Sequence, residues 1–179
     1  MDRDLHIPRL DTRRLILRGH RRTDLAAMAE MWADPAVVAH ISGTPSTPAQ
    51  TWDRMMRYAG FWHHLGFGYW AVEDRASGIF LGEVGFADFH RDADPDISGI
   101  PEAGWVMCVA AHGQGYGVEA VAAMLDWGDR NLAASKTVAL FDPDHARSIA
   151  LARKMGFGDD VTGRMGANTA LMLKRPQGG

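Results

Sequence analysis

A single cysteine, Cys108, stands in the 179 residues, so no internal disulfide can form and a reducing compartment is expected. Cytoplasm is the expected location. No apolar run approaches the length needed to cross a bilayer. The opening MDRDLHIPRL lacks the apolar segment of a secretory signal. Positive charge is not in excess. Lys and Arg number 19 against 22 Asp and Glu, the net charge is −3, and arginines are scattered apart from Arg13–Arg14 and Arg21–Arg22. A basic nucleic-acid surface is therefore not expected. Repeats, low-complexity tracts and linkers are missing too, so one domain over 1–179 is expected. Hydrophobic residues at 46% and charged residues at 23% suit a globular chain with a sizeable core. Nothing in the pattern bears on oligomeric state.

What is there reads as short alternating elements. Arg13–Arg18 (RRLILR) is a first strand. A helix follows from Thr23, with Leu25, Met28, Ala29 and Trp32 on one face, and stops at Asp34-Pro35. After the loop SGTPSTP, Thr47 as N-cap, Pro48 at the first helical position and Gln50 completing a capping box open a second helix. Its expected apolar face is Trp52, Met55, Met56, Ala59 and Trp62. GYWAVED, FLGEVGFADF and EAGWVMCVA are three strands, the first two joined by a hairpin-like ASG turn. A helix carrying Val118, Val121, Leu125 and Leu132 comes next, then the strand KTVALF. Asp142-Pro143 reads as the N-cap and first position of a last helix ending at Gly156. Phe157–Val161 and Thr169–Lys174 close the chain as weak strands. The order β-α-α-β-β-β-α-β-α-β-β predicts an α/β domain with a largely antiparallel first half.

The stretch 110–125, AAHGQGYGVEAVAAML, carries glycine at 113, 115 and 117 just before good helix formers. Glycine loses more entropy on folding than other residues, so the cluster points to a close backbone approach. A strand, a glycine-rich turn and a helix start present free N–H groups and a positive dipole end, which suits phosphate. A tight packing turn is the other reading. No Lys-Ser or Lys-Thr follows the glycines, which excludes a P-loop. Gly115-Tyr-Gly117-Val-Glu-Ala120 also fits the dinucleotide fingerprint G-x-G-x-x-A, with Asp142 at the end of the next strand. Against an NAD(P)-binding oxidoreductase, a Rossmann domain needs further βαβ units and only one helix remains.

Four stretches carry a resemblance over nearly the whole chain. They are LDTRRLILRGHRRTDLAAM, GYWAVEDRASGIFLGEVGF, EAGWVMCVAAHGQGYGVEA and RSIALARKMGF. Together they resemble the GNAT superfamily of acetyl-CoA-dependent N-acetyltransferases, particularly the Rim-type branch that acetylates ribosomal-protein N-termini. The resemblance implies a mixed, largely antiparallel α+β fold of about seven strands and about four helices. It implies acetyl-CoA as cosubstrate, no metal, and a primary amine as acceptor, either a protein N-terminus or a small molecule. The N–H groups of His112, Gly113, Gln114, Gly115, Tyr116, Gly117 and Val118 would hold the pyrophosphate of coenzyme A. The pantetheine arm would lie along Met107, Cys108 and Val109. His145 stands where many members carry Asn in N-x-x-S, on the cofactor side, and Ser148 keeps the pattern. His112 replaces a common Arg or Gln, and Ala152 replaces the tyrosine that commonly protonates the departing thiolate.

Direct attack of an amine on the thioester needs a base and donors for the oxyanion. By resemblance Glu102 is the leading base, Glu83 a second candidate, and the N–H of Met107 or Cys108 the oxyanion donor. Ser148 lies one helical turn before Ala152 and is the substitute acid. An acyl-enzyme on Cys108 would require an activated thiolate, and a small core residue is the plainer reading. Asp92, Asp94 and Asp96 alternate, but Ile97 and Ala103 occupy the glycine and glutamate positions of a calcium loop. That acidic loop would instead steer a cationic acceptor. His63–His64 suit a helix C-terminus, and Trp62, Tyr69 and Trp70 read as core by their spacing, with room for one of them to line an acceptor pocket. A different class of function, an acyl-CoA sensor that has lost catalysis with its tyrosine, remains as the alternative.

Overall fold

The computed structural model describes residues 7–178, so the expectation about a leader at the first six residues lies outside the described residues. Strands β1 (Leu10–Asp11) and β2 (Leu15–Arg18) pair antiparallel. A 3-10 turn at Arg22–Asp24 leads into α1 (Leu25–Ala33). The Asp34-Pro35 stop also starts a short helix, α2 (Pro35–Val38), because the Asp34 side chain accepts the Ala36 N–H. The second expected helix is α3 (Pro48–Leu65), with the Thr47–Gln50 capping box and Gly66 in the left-handed conformation at its end. Its buried stripe differs from the expected one. Thr51, Met55, Tyr58 and Trp62 face inward, whereas Trp52 and Met56 are exposed.

β3 (Tyr69–Asp74), β4 (Phe80–Ala87), β5 (Ala93–Asp94) and β6 (Glu102–Met107) follow. β6 ends at Met107, shorter than expected, because Val109–Ala111 turns into a 3-10 helix. Then come α4 (Tyr116–Asn131), β7 (Lys136–Phe141) and α5 (Ala146–Lys154). α5 begins three residues later than expected. The Asp142 side chain accepts the Asp144 N–H in a local turn, so His145 and not Asp142 precedes the helix. The two closing strands are longer than expected, β8 (Gly158–Met165) and β9 (Asn168–Pro176), joined as a hairpin. Among the described residues no helix is long and apolar enough to cross a membrane.

Among the described residues nine strands join one mixed sheet, in the order β1-β2-β3-β4-β6-β7-β9-β8-β5. Every neighbouring pair is antiparallel except β6 and β7. Those two run parallel and share a single register pair, Glu102 with Val138, closed by the Val138 N–H on the Pro101 carbonyl at 3.1 Å. The seven longer strands and four longer helices match the expected fold, and β1, β5 and α2 add to it.

The two-residue alternation of the strands sorts the faces. Trp70, Val72, Val84, Phe86, Ala103 and Met107 pack with α4 on one side. Tyr69 and Ala87 pack with Met28, Met55 and Tyr58 of α1 and α3 on the other. Trp32 and Val38 close that second layer against Val106.

One buried charge cluster pins the first helix to the sheet. Arg18 donates to both Asp24 oxygens at 2.7 and 2.9 Å and to Glu73 at 2.7 Å. The three side chains are 8%, 7% and 14% exposed. Burial pushes the Asp24 carboxyl up, but hydrogen bonds from Arg18 and the Arg21 N–H hold it below its ordinary 3.8. Removing one partner of such a set leaves buried charge uncompensated. Arg18→Ala should therefore lose about 3–5 kcal/mol in urea unfolding at neutral pH. A depressed carboxyl contributes fully above its unfolded pKa and fades as pH falls through the folded one. The gap between wild type and variant should then narrow below about pH 3.8. A loss under about 1 kcal/mol would show that water replaces the guanidinium.

Candidate active site

Beyond the single Glu102–Val138 pair, β6 and β7 part. A cavity of about 870 Å³ opens on the α1–α3 side of this parting. Glu102 to Val106 form one wall, Leu140 to His145 and Ser148 the opposite wall, and residues 39–43 with Arg54, Arg57 and Tyr58 of α3 a third. Tyr69, Phe89 and the β8–β9 hairpin complete it.

The glycine turn lies at the C-terminal end of β6. Gly113 and Gly115 have φ of 74° and 77°, a region that L side chains rarely adopt, and Gly115 is the residue before α4. Gly117 does not share that need, and an added Cβ would meet only Leu151 at 3.7 Å and Met107 at 3.9 Å. The first helical hydrogen bond runs from Glu119 to the Gly115 carbonyl. Among the described residues, none of the N–H groups from Gly113 to Val118 makes a well-formed bond to a protein acceptor. Six successive donors at a helix start are an anion-binding concavity.

Braces fix the turn from both sides. Glu119, in the first turn of α4, accepts from Thr12 Oγ1 at 2.6 Å, Arg14 N at 2.7 Å and Arg14 Nε at 2.7 Å. Burial pushes its carboxyl up, yet these bonds hold it below the ordinary range. Arg14 also donates to the Gln114 carbonyl at 2.9 Å and stacks on the Tyr116 ring. His112 bridges on the far side. Its Nε2 is 3.0 Å from the Met107 carbonyl and its Nδ1 2.9 Å from Arg147 Nη1. A carbonyl only accepts and a guanidinium only donates, so these partners select the Nε2–H tautomer. The His112 side chain is thus a brace, and Arg147 is a cation beside the turn that the motif did not reveal.

Register decides the donors near the parting. The Cys108 N–H donates to the Leu81 carbonyl at 2.9 Å, so it is not free for an oxyanion, contrary to one of the two options expected from sequence. Alternation then turns the Met107 N–H away from β4 and towards the parting, because Met107 sits opposite Gly82 in the non-bonded pair. The Cys108 thiol is pushed up to about 11 by burial first and then by Glu83, so it is a thiol at neutral pH and no nucleophile.

The acid–base candidates separate clearly. Glu102 lines the cavity, but both of its oxygens accept from Arg91, at 2.7 and 2.9 Å. Glu83 is fully buried beneath Trp32 and Tyr58, whose Nε1 and hydroxyl donate to its Oε2 at 3.0 and 3.2 Å. Its other oxygen is 3.3 Å from His20 Nε2 without the alignment of a hydrogen bond. Ser148 and His145 do face the cavity together, with Oγ and Nε2 3.3 Å apart. Their surroundings were invisible to motif reading. His40, from the loop after α2, stacks on His145 at 4.7 Å and bonds Asp142 Oδ2 at 2.9 Å through Nδ1. Burial and then the charge of His40 lower the His145 pKa below the ordinary histidine value of 6.5. Ala152 is fully buried in the main core, so a tyrosine ring there would overpack it.

The acidic loop does not point at the cavity as a free charge. Asp92 pairs with Arg164, Asp94 lies in β5 against β8, and Asp96 accepts from Ser98. Among the described residues no group of three or more His, Cys, Asp and Glu could hold a metal. Trp62, Tyr69 and Trp70 are core as expected, and Tyr69 is the one that also borders the cavity, with its hydroxyl lying over Gly104.

Comparison with known proteins agrees with this geometry. A solved acetyltransferase from Agrobacterium tumefaciens str. C58 is 26% identical with a TM-score of 0.82, covering 99% of each chain. A GNAT-family acetyltransferase from Bordetella pertussis is 28% identical with a TM-score of 0.80, covering 94% of this chain and 99% of that one. The uncharacterized protein YkkB of Bacillus subtilis (strain 168) is 29% identical over 154 residues, 83% of this chain and 84% of its own length. With the acetyltransferase (GNAT) domain model matching residues 14–158, most of its length, the chain belongs to the GNAT acetyltransferase family.

Proposed function

We propose that the protein transfers the acetyl group of acetyl-CoA to a primary amine by direct attack. The observation that carries this is the fan of six free N–H groups, Gly113 to Val118, at the mouth of the parted strands. The fan suits a pyrophosphate, and Arg147 lies beside it. The Met107 N–H, directed into the parting, is the oxyanion donor. A cytoplasmic place of action is supported by the single cysteine. The Rim-type branch, with a protein N-terminus as acceptor, rests on the sequence stretches alone.

Acetyl transfer balances simply. The amine loses a proton and attacks the carbonyl carbon, the C–N bond forms, the C–S bond breaks, and the thiolate is protonated. We assign the base to His145 in preference to Glu102. His145 faces the cavity with a lowered pKa, so its ring is neutral and able to accept a proton at neutral pH. Glu102 would first have to leave Arg91. Ser148, beside His145, is the donor to the thiolate. The His40–Asp142 pair positions His145 by stacking. This acid–base pair facing the cavity favours an enzyme over a sensor.

Two experiments test this reading. Acetyl-CoA and CoA should raise the melting temperature, while NAD and NADP should not. Gly115→Val should lose about 1–2 kcal/mol of stability, because its φ is 77°. Gly117→Val should fold yet bind CoA at least tenfold more weakly, since only ordinary contacts await its Cβ. Unchanged affinity in that variant would mean that the turn serves packing alone.

The second experiment follows the pH profile. kcat/KM should stay flat to below pH 6.5 and fall only where His145 becomes charged. His145→Gln should lower kcat about 10²-fold or more and erase that limb, with Ser148→Ala costing roughly 10²-fold or less. If Glu102→Gln removes the limb and His145→Gln keeps it, Glu102 is the base.

A further inference from the structure

The α3 wall of the cavity carries cations that the fold leaves without counter-ions. Arg54 and Arg57 sit three residues apart on one helix face, and both line the cavity. Among the described residues neither has a carboxylate within salt-bridge distance. A third arginine lining the cavity, Arg91 from the loop after β4, is already committed to Glu102. Arg54 lies flat on the Trp32 ring, 3.6 Å from its centroid, and makes one long bond to Ser46 Oγ at 3.5 Å. A stacked guanidinium keeps its in-plane N–H fork available for a planar bidentate partner. The Tyr69 hydroxyl borders the same space. Burial, followed by the charge of Glu102, pushes its pKa far up, so it stays a neutral donor.

Across the cavity the charge reverses. Asp144, in the turn before His145, lines the wall and forms no ion pair among the described residues. An ammonium would be drawn to that side, next to the assigned base. The rings of Phe89, Trp105 and Phe141 also line the cavity. A polycation would place charge against Arg54 and Arg57 and is disfavoured by like-charge repulsion.

We infer that the acceptor is a small amino carboxylate with an apolar or aromatic body, its carboxylate held by Arg54 and Arg57 and its amine directed to His145. This rests on the acetyl-transfer reading only for the fate of the amine. Recognition of the carboxylate stands on the α3 wall itself.

The test compares acids with their decarboxylated amines by titration calorimetry, with and without CoA. Suitable pairs are tryptophan and tryptamine, phenylalanine and phenethylamine, methionine and 3-(methylthio)propylamine. Spermidine serves as the polycation, and the amide of Ala-Asp-Ala with that of Ala-Asn-Ala as the peptide arm. At least one acid should bind about tenfold or more tightly than its amine. Arg54→Gln with Arg57→Gln should reduce that acid to the level of its amine, with the CoA affinity unchanged. Arg57→Gln alone, an exposed position that should not disturb folding, should remove part of the preference. Equal binding within every pair, tighter binding of spermidine, a preference confined to the peptides, or a preference that survives the double substitution overturns the inference. In those cases CoA release from acetyl-CoA with some amine leaves acetyl transfer standing. Conversely, failure to bind acetyl-CoA alongside an arginine-dependent preference for acids sinks only the transfer reading.

Discussion

Everything in this molecule turns on one rung of backbone, the Glu102–Val138 pair where two half-sheets meet. On one side β1, β2, β3, β4 and β6 form an antiparallel ladder, and on the other β7, β9, β8 and β5 form a second. If the parallel pairing ran on, the N–H of Met107 would be consumed by β7 and no cleft would exist. Large side chains hold the strands apart. Trp105 lies against Phe141 and Phe157, with ring centroids 5.7 and 6.3 Å away. The opening is therefore built by side-chain bulk and by the early end of pairing, and the loops only furnish it.

The acceptor side is positioned by a polar interior more than by apolar packing alone. Glu83 ties α1 and α3 to β4 through Trp32 and Tyr58, and Tyr58 stacks on Tyr69 with centroids 4.4 Å apart. Gly104 leaves space for the Tyr69 hydroxyl, since a Cβ there would come within 2.0 Å of it. A directional network of this kind fixes orientation, whereas an apolar patch tolerates sliding. Arg54 owes its place to the same network, because Trp32, on which it lies, is held by Glu83.

Local chemistry made much of the fold legible, and distance in the chain hid the rest. The Thr47–Gln50 capping box, the strand KTVALF and the glycine turn are written in adjacent residues, and each stands where it was expected. The inward face of α3 departs from the apolar spacing because Trp52 and Met56 are apolar yet exposed, while Tyr58 is buried and bonded to a carboxylate 25 positions away. Asp142 offers an equally local N-cap signal, but its side chain serves His40, 102 residues earlier, and the next turn. The expectation for Glu102 rests on family resemblance at the start of β6, and the residue does stand on the cavity wall. No pattern could announce that Arg91 occupies both of its oxygens. Spacing reports neighbours along an element, and these partners are joined only by tertiary packing.

The tether of Glu119 to Thr12 and Arg14 has a consequence for affinity that reaches beyond its own bonds. It joins the start of α4 to the β1–β2 turn, more than a hundred residues away in the chain, and carries the Gln114 carbonyl with it. The donors from Gly113 onward are therefore aimed by the fold itself. Conformational entropy for that loop is lost once, during folding, and not again at each encounter with an anion. Such a preorganised cradle binds by what it touches, with little deducted for taking shape. Its weak point accordingly lies at the other end of the chain, in the turn that carries Thr12 and Arg14.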